Sequence, residues 1–475
     1  MKRASGVLMH ISSLYGDYSC GSLGKSAFEF VDFLKSCGFS YWQVLPTGLC
    51  DECNSPYKSP SAFAGTPFFI DLEILEKKGL LTEAELENTR QQSPYVCEFD
   101  RLKSERLPLL FKAAERAKNK DEINEFIDEN KELSDFCEFA ALKQANADRF
   151  WKEWTVKTPK AEDVFAWRFI QYEFFTQWQK LKDYAGKNGI KLIGDMPLYV
   201  DLDSSDVYFN PSLFMLDKNG DPTDVAGVPP DYFSADGQLW GNPLYDYGKM
   251  EQDGFSWWKR RIAHNLKMFD GLRIDHFRGI ESFFAVKNGE TTAKNGRWIK
   301  GPGEKLVDAI KQTAGDKLII AEDLGDITKE VEALLKYSGL PGMRVFQFSF
   351  LGGDNPHLPH NYIKNCIAYS GTHDNNTLLG YLWELDEQTR QRMLCYCGFK
   401  GDDWGSGCDD IIRTLFASSA GLVILPIQDV LGYGSDTRMN RPGTAKGNWI
   451  YRVTKEQLCG IDKDKYLKLN RTYFR

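Results

Sequence analysis

Acidic side chains in this sequence cluster at the ends of short apolar segments, where carboxyl groups could act as nucleophile, acid or base. The four groups are residues 194–197 (GDMP), 273–276 (RIDH), 321–323 (AED) and 371–374 (GTHD). A single carboxylate at such a position, for example Asp195 or Asp323, is often an ion pair or a helix cap. Four groups that follow four separate segments are harder to explain in this way, and we interpret them as parts of one functional site.

The pair Arg273 and Asp275 carries the clearest geometric signal. Side chains alternate along a β-strand, so two residues that are two positions apart point to the same face. If that face is the interior of a barrel, the Arg273 guanidinium favours the ionised form of Asp275 and aims it at the barrel mouth. The alternative is a buried ion pair that only holds the strand in place.

Two of the six histidines, His276 and His373, stand next to an aspartate of these groups. A cluster of Asp, Glu and His side chains can bind a divalent metal ion. On a regular strand, however, each histidine would face away from the neighbouring aspartate. We therefore favour hydrogen bonds from these histidines to substrate hydroxyls at a bend after the strand. Histidines packed in the core are a third interpretation.

The elements that must position these residues alternate between short apolar runs and helical patterns, which is typical of βα units around a parallel sheet. Eight such units predict an α/β fold, the (β/α)₈ or TIM barrel, whose active site lies at the carboxyl ends of the strands. The predicted strands are residues 6–11, 41–46, 191–200, 271–277, 317–324, 343–348, 366–374 and 421–430.

We expect the whole chain, residues 1–475, to form a single catalytic barrel domain with inserted subdomains. The stretch between the second and third predicted strands is too long for one crossover helix. It carries apolar residues at helical spacing among Glu and Lys, which predicts a helical insertion over residues 73–165.

A second, loop-rich insertion is expected over residues 201–256. Gly and Pro residues there surround Tyr232, Phe233 and Trp240, so we expect a long non-helical loop that acts as a lid over the site. The alternative is a surface loop that buries its own aromatic side chains. Tyr57, in a similar Pro- and Ser-rich turn, is a further aromatic residue that could stack on a sugar ring or pack in the core.

Composition limits the partners of the protein. Its 475 residues include 59 basic and 67 acidic side chains, a formal net charge of −8, which argues against nucleic acid as the main partner. Aromatic residues make up 13% of the chain, and their flat faces suit sugar rings as well as protein interiors. No apolar stretch in the sequence approaches the length of a membrane helix.

Eleven cysteines in a chain without a recognisable export signal predict reduced thiols and a cytoplasmic location. Cys50 and Cys53 form a CxxC pair that could hold a metal or a disulfide, but no histidine lies close by in sequence, and we favour free thiols. The motifs of phosphate-binding loops, dinucleotide-binding folds, serine hydrolases and zinc proteases are missing from the sequence. We therefore expect no metal and no organic cofactor.

Longer motifs resemble those of the 4-alpha-glucanotransferases, also called amylomaltases or disproportionating enzymes, which form glycoside hydrolase family 77 of the α-amylase clan. Their spacing agrees with the clan's order of Asp, Glu and Asp after strands four, five and seven. The resemblance runs nearly end to end. The matching blocks are residues 54–72, 194–203, 227–245, 271–279 (GLRIDHFRG), 321–325 (AEDLG), 370–377 (SGTHDNNT) and 443–452.

The resemblance implies a retaining glycosyl transfer in which Asp275 is the nucleophile, Glu322 the general acid and base, and Asp374 the stabiliser of the transition state. The implied substrates are maltooligosaccharides and 1,4-alpha-glucans derived from starch or glycogen, with glucose as an acceptor. By the same resemblance, Arg273, His276, His373 and Asp195 line the sugar subsite next to the cleaved bond, Gln238 and Trp240 lie on the acceptor side, and Asp231, Tyr232 and Phe233 belong to the lid.

Two other functions fit parts of this pattern. An alpha-glucan hydrolase on the same barrel would use water where a transferase uses a second sugar, so some hydrolysis is compatible with the sequence. A non-catalytic alpha-glucan-binding module would not need an Asp, a Glu and an Asp at three separate strand ends, and we rank it below both enzymes.

Overall fold

The computed structural model describes residues 2–230 and 235–475. The predicted lid residues Asp231, Tyr232 and Phe233 lie outside the described residues. Within these ranges the chain forms twelve β-strands. They are β1 (Ala4–Leu8), β2 (Tyr41–Gln43), β3 (Lys191–Met196), β4 (Asp224–Val228), β5 (Gln238–Pro243), β6 (Gly271–Ile274), β7 (Ser282–Lys287), β8 (Arg297–Lys300), β9 (Leu318–Ala321), β10 (Gly342–Val345), β11 (Cys366–Tyr369) and β12 (Leu422–Pro426).

Helices fill most of the remaining chain. Among residues 2–230 and 235–475, we find no helix whose length and hydropathy would suit a membrane span. The α-helices are α1 (Lys25–Ser36), α2 (Leu72–Lys77), α3 (Glu83–Glu87), α4 (Phe99–Arg101), α5 (Leu107–Arg116), α6 (Lys120–Asp128), α7 (Lys131–Ala145), α8 (Ala161–Lys187), α9 (Ser205–Phe209), α10 (Tyr247–Gln252), α11 (Ser256–Met268), α12 (Arg278–Glu281), α13 (Glu304–Ala314), α14 (Lys329–Ser338), α15 (Leu378–Glu384), α16 (Glu387–Tyr396), α17 (Trp404–Ala417), α18 (Ile427–Leu431), α19 (Lys455–Cys459) and α20 (Lys463–Thr472).

The central element is a closed parallel barrel with the strand order β1, β12, β11, β10, β9, β6, β3, β2. It confirms the predicted fold class, and every predicted strand overlaps a strand of the barrel. Most observed strands end earlier than predicted because the buried apolar run continues beyond the last paired residue. After β3, for example, Leu198, Tyr199 and Val200 stay buried in a bend. β1 pairs with β12, which closes the barrel between two segments that lie far apart in the sequence.

Alternation along the strands divides their side chains between two surfaces. On β12, Ile424 packs inside the barrel, whereas Val423 packs in the larger core that the surrounding helices form. On β6, Leu272 and Ile274 belong to this outer core. Arg273 lies between them in sequence and therefore points into the barrel.

Helices α2 to α7 lie between β2 and β3. Three of them, α5, α6 and α7, pack along α8, the long helix that leads into β3. Trp167, Ile170, Phe174 and Trp178 on α8 are buried, as their spacing on one helix face requires. Through α8, these helices share one hydrophobic core with the barrel.

A second, antiparallel sheet with the order β5, β4, β7, β8 corrects the interpretation of the predicted lid segment as a long loop. β4 pairs with β5 inside the predicted insertion and with β7, which follows β6 in the chain. The sequence pattern hides these strands because they are short and contain Gly227 and Pro243, residues that are uncommon in strands. β4 also pairs with β7, which lies beyond β6 in the chain, and no local sequence pattern indicates this pairing.

Gly194 on β3 leaves space for the ring of Phe269, and we predict that Gly194→Ala destabilises the barrel. A Cβ atom at this position would lie 2.3 Å from Phe269 Cδ2 and 2.5 Å from its Cε2. The strand or the ring would have to move, at a cost of about 1–3 kcal/mol. Denaturant unfolding of both proteins measures the difference.

Gly186→Ala on α8 is the matched control. Its added Cβ atom meets no neighbouring atom within 4 Å, and alanine favours the helix. Equal free energies of unfolding for the two variants would contradict the packing argument.

Candidate active site

The three acidic residues assigned to the chemistry lie at one end of the barrel. Asp275 follows β6, Glu322 follows β9, and Asp374 lies beyond the end of β11. Because the barrel strands are parallel, their carboxyl ends meet at one rim. The backbone N–H of Asp275 donates to the Met196 carbonyl and that of Glu322 to the Ile274 carbonyl, each over 3.0 Å. Hydrogen bonding between the strands therefore continues to Asp275 and Glu322 and fixes their backbone positions.

Arg273 joins two carboxylates inside the barrel. Its Nη1 lies 2.7 and 2.8 Å from the two Asp195 carboxylate oxygens and 2.9 Å from Asp275 Oδ1. Burial of Arg273 opposes its positive charge, but the two carboxylates outweigh this effect and raise its pKa well above the usual range. The Asp275 side chain remains 28% exposed, so the ion pair opens to solvent and does more than hold β6 in place.

Tyr57 contacts this ion pair from the turn that follows β2. Its Oη donates to Asp195 Oδ2 over 2.8 Å, and its ring stacks on that of His373, with centroids 5.1 Å apart and an interplanar angle of 17°. Burial, reinforced by the charge of Asp195, raises the pKa of the Tyr57 hydroxyl, which stays protonated as a donor. One face of the Tyr57 ring is thus occupied by protein, which leaves only the other face for a sugar.

Glu322 is held in a form that suits proton transfer. Its Oε2 accepts from the His276 N–H over 2.7 Å, and its Oε1 accepts from the Leu324 N–H over 2.8 Å. Burial raises the pKa of Glu322 to about 7, helped by the negative charge of Asp275 and opposed by Arg273. The carboxyl group is therefore about half protonated near neutral pH, which suits a group that acts alternately as acid and base.

His276 lies at the bend after β6. Its φ of 51° is in the left-handed region, which is uncommon for residues other than glycine. Its ring meets that of Trp240 edge-on, with centroids 4.9 Å apart, and its Nε2 has no hydrogen-bond partner among the described residues. Burial lowers the pKa of His276 to about 4, so the neutral ring can bind a hydroxyl group.

Asp374 is anchored by two residues that sequence reasoning missed. Asn440 Nδ2 donates to Asp374 Oδ1, and Arg438 Nη2 donates to the Asp374 carbonyl, both over 2.6 Å. His373 Nε2 lies 3.3 Å from Asp374 Oδ2. No local motif links Asn440 to Asp374, which is 66 positions away. The one sequence feature that could have indicated Asn440 is its position shortly before residues 443–452, a block that resembles glycoside hydrolase family 77.

In the described ranges, no three His, Cys, Asp or Glu side chains are arranged to hold an ion.

Asp323, which belongs to one of the four acidic groups of the sequence analysis, forms an ion pair with Arg344 over 2.9 Å and accepts from the Met343 N–H. Its carboxylate stabilises the end of β9.

An open cleft of about 380 Å³ lies at this rim of the barrel. Asn440 and Trp449, which the sequence analysis did not single out, also line it. Asp195, Arg273 and Glu322 are buried next to the lining residues and do not themselves line the cleft. The predicted residues that the cleft brings together are Tyr57, Gln238, Trp240, Asp275, His276, His373 and Asp374.

Gln238 and Trp240 reach the cleft from β5 of the second sheet. They are two positions apart and share one face of the strand. Trp240 Nε1 donates to Gln238 Oε1 over 3.2 Å, and the Trp240 ring also contacts that of Tyr199. The antiparallel sheet therefore fixes the position of Trp240 at the cleft.

The CxxC segment forms another part of the cleft lining, through Asp51 and Cys53. Cys50 and Cys53 are both free thiols. Asp51 Oδ1 accepts from the backbone N–H groups of Cys53 and Ser55 over 2.9 and 2.8 Å. Hydrogen bonds to the Asp51 carboxylate therefore shape this turn.

Comparisons with known proteins agree with this arrangement. A family model described as 4-alpha-glucanotransferase, glycoside hydrolase family 77, matches residues 9–457. The 4-alpha-glucanotransferase of Clostridium butyricum is 44% identical and covers 98% of this chain and 100% of the relative. That of Streptococcus pneumoniae serotype 4 is 43% identical, covering 100% and 98%. The amylomaltase from Streptococcus agalactiae in complex with acarbose superposes with a TM-score of 0.95 at 38% identity, with 100% of each chain covered.

The raised pKa of Glu322 predicts a stability that depends on pH. An ordinary glutamate titrates near 4.5, so folding disfavours ionised Glu322, and this cost appears as the pH rises from about 4.5 to about 7. Glu322→Gln removes the charge. Relative to wild type, the variant should gain stability between pH 5 and pH 8, by up to about 3 kcal/mol, because one pKa unit corresponds to about 1.4 kcal/mol.

Denaturant unfolding of both proteins at the two pH values measures this gain. Glu330→Gln on α14 is the control, because a hydrogen bond from the Thr328 hydroxyl lowers the pKa of Glu330, so its titration lies below pH 5 and its difference from wild type should stay nearly constant between pH 5 and pH 8. A difference between wild type and Glu322→Gln that does not change from pH 5 to pH 8 would contradict a raised pKa.

Proposed function

This chain belongs to glycoside hydrolase family 77, the 4-alpha-glucanotransferases, and we propose that it moves a segment of a 1,4-alpha-glucan onto the 4-hydroxyl of glucose or of another glucan by a retaining double displacement. One observation carries the proposal. The Asp275 carboxylate adjoins the Arg273 cation, whereas burial gives the nearby Glu322 carboxyl a pKa of about 7. The two groups are thus suited to different roles.

In the first half of the proposed reaction, an Asp275 oxygen forms a bond to the anomeric carbon as the bond from that carbon to the leaving 4-oxygen breaks. Glu322 donates its proton to that oxygen, so the leaving glucan departs with a free 4-hydroxyl. A retaining enzyme needs an ionised nucleophile and a protonated acid in this step. The Arg273 cation supports the first role, and the burial of Glu322 supports the second.

In the second half, Glu322 accepts the proton of the acceptor's 4-hydroxyl while the acceptor oxygen attacks the anomeric carbon. The bond to Asp275 breaks, and both carboxyl groups return to their starting states. Two inversions give a product of unchanged anomeric configuration. Carboxyl groups supply the nucleophile, the acid and the base, so we assign no metal and no organic cofactor to these steps.

Asp374, His373 and His276 are proposed to hold the sugar next to the cleaved bond. The Asp374 side chain is 46% exposed, and the amide of Asn440 fixes one of its oxygens, so the carboxylate is presented to the cleft in one orientation. His276 contributes a neutral ring whose Nε2 lacks a partner among the described residues. A carboxylate and neutral imidazole rings can form hydrogen bonds to the hydroxyls of the bound sugar, and these bonds stabilise the transition state.

The acceptor must compete with water for the bond to the anomeric carbon. A well-held second reactant can reach an effective molarity of about 10⁵ M or more, so binding on the acceptor side can favour a sugar. We assign this binding to Trp240 and Gln238 on β5, since aromatic faces hold sugar rings. Asp231, Tyr232 and Phe233, which precede β5 in the chain, are proposed to act with them.

Maltooligosaccharides and glucans derived from starch or glycogen are the proposed donors, with glucose as one acceptor. The names 4-alpha-glucanotransferase and amylomaltase that the relatives carry support this substrate class. We propose a cytoplasmic location, which the free thiols of all eleven cysteines support.

Three substitutions test the chemistry. Asp275→Asn, Glu322→Gln and Asp374→Asn should each lower turnover of maltotriose at least about a hundredfold, because general acid and base catalysis typically contributes about 10²–10⁴-fold. Asp316→Asn, at an exposed aspartate before β9, is the matched control, and circular dichroism checks the fold of each variant.

Separation of the products that wild type forms from maltotriose alone distinguishes the enzyme classes. A transferase should give glucose together with chains longer than maltotriose. Glucose and maltose without longer chains would identify a hydrolase. Turnover near the wild-type rate by Glu322→Gln would overturn the assignment of the acid.

Loss of the Trp240 ring should favour hydrolysis over transfer. In Trp240→Ala, the number of new reducing ends per glucose released should rise between about twofold and tenfold, because the acceptor loses an aromatic contact that water does not need. The measurement compares total reducing ends with free glucose during incubation with maltotriose. Trp298→Ala on β8 of the same sheet is the control. An unchanged ratio in Trp240→Ala and in a Tyr232/Phe233 double alanine variant would rule out acceptor selection by this region.

A further inference from the structure

Two buried cysteines, Cys20 and Cys97, lie where three segments of the chain meet. The Glu98 N–H donates to the Ser19 carbonyl over 2.8 Å, and the Cys97 N–H donates to the Ile450 carbonyl over 2.7 Å. Cys20 and Cys97 are only 2% and 3% exposed and belong to one hydrophobic core. Their thiols form a hydrogen bond with each other. Backbone hydrogen bonds thus hold these two thiols side by side, and we call them the thiol pair.

Two buried cations lie next to the thiol pair and have no carboxylate partner. Arg452 is fully buried and donates to three backbone carbonyls and to Gln91 Oε1. Arg106, which precedes α5, is also buried and donates to the Phe68 carbonyl. Neither guanidinium forms an ion pair with a carboxylate within residues 2–230 and 235–475. Because buried charges are usually paired, the two cations indicate an anion of another kind beside them.

Cys20 is suited to supply this anion as a thiolate. Burial opposes its ionisation, but the hydrogen bond from the Cys97 thiol and the charges of Arg106 and Arg452 outweigh this effect and lower the pKa of Cys20. Burial raises the pKa of Cys97 well above its usual range, helped by the hydrogen bond to Cys20 and by its charge. The pair therefore combines a nucleophilic thiolate with a neighbouring protonated thiol.

Other buried thiols of the chain lack this environment. Burial raises the pKa of five of them, which are Cys37, Cys137, Cys366, Cys397 and Cys408. The thiolate, and not the thiol, reacts with oxidants. Cys20 is therefore expected to react where these five thiols stay inert.

An open groove of about 470 Å³ gives access to the thiol pair from solvent. Val96, which precedes Cys97, and Arg452, whose charge acts on Cys20, both line this groove. The two thiols lie directly behind this lining and are nearly inaccessible themselves. A small oxidant such as hydrogen peroxide can therefore reach them more readily than a bulky disulfide.

We propose that Cys20 and Cys97 form a peroxide-reactive site that closes to a disulfide. The Cys20 thiolate attacks one oxygen of hydrogen peroxide, the O–O bond breaks and hydroxide leaves, so Cys20 becomes a sulfenic acid. The Cys97 sulfur then forms a bond to the Cys20 sulfur as the S–O bond breaks, and the Cys97 proton leaves with the oxygen as water. Two electrons pass from the sulfurs to peroxide, and exchange with external thiols reduces the disulfide again.

Mass spectrometry of the full chain tests the proposal. The reduced protein is treated with a small excess of hydrogen peroxide, the remaining thiols are alkylated after denaturation, and the peptides are quantified. We expect a Cys20–Cys97 disulfide that forms at least about tenfold faster than peroxide consumes Cys137, because Cys137 is buried without a nearby activating partner. Dithiothreitol should restore both thiols.

Two variants separate the roles of the thiols. Cys97→Ser keeps a hydrogen-bond donor beside Cys20 but removes the second sulfur. It should accumulate a Cys20 sulfenic acid, which dimedone traps, and should form no disulfide at Cys20. Cys137→Ser, at a buried thiol outside the pair, is the matched control and should form the Cys20–Cys97 disulfide at the wild-type rate.

Consumption of Cys20 no faster than that of Cys137 would overturn the proposal. A disulfide between Cys20 and Cys50, another thiol near the pair, would overturn the assignment of Cys97 as partner. Circular dichroism before and after the peroxide treatment checks the fold. A Cys20–Cys97 disulfide that appears only in samples without the native spectrum would contradict a site built into the folded protein.

Discussion

The buried charge of Arg273 is the constraint on which the catalytic end of the barrel depends. A guanidinium inside a barrel is tolerated only where carboxylates lie within hydrogen-bond distance. Asp195 supplies one carboxylate from directly across the β3–β6 ladder. Asp275, which follows β6 and lies two positions after Arg273, supplies the second. Three features stabilise the Arg273 guanidinium in this position. The two strands are adjacent, their side chains point inward, and Tyr57 approaches from the turn after β2. Stability and reactivity are therefore coupled at the same contact.

The bend at His276 connects this ion pair to the rest of the site. By leaving the regular strand conformation, His276 turns its N–H toward Glu322 and its ring toward Trp240. A barrel strand thereby contacts a carboxyl group on its neighbouring strand and an aromatic residue on a separate antiparallel sheet. Asp374 depends on a different support, the amide of Asn440 from the region after β12. The cleft is thus assembled from parts of the chain that are far apart in sequence.

The sequence predicted the structural features that depend on local residue patterns and on strand direction. Buried apolar runs located the barrel strands, and parallel strands bring Asp275, Glu322 and Asp374 to one rim wherever the helices lie. The second sheet was missed because β4 needs a partner from beyond β6. The contact of Asn440 with Asp374 and the pKa of Glu322 both depend on tertiary packing and depth of burial, which no spacing in the sequence records. The catalytic roles themselves remain proposals.

The pairing of β1 with β12 has a consequence for biosynthesis. β1 leaves the ribosome well before β12, because residues 9–421 lie between the two strands. At typical rates of translation, about 5–20 residues per second, the interval between them is roughly 20–80 s. During this time one edge of β1 has no strand to pair with, and an unpaired edge can recruit strands of other chains. Until β12 emerges, this open edge is therefore a point at which nascent chains can associate.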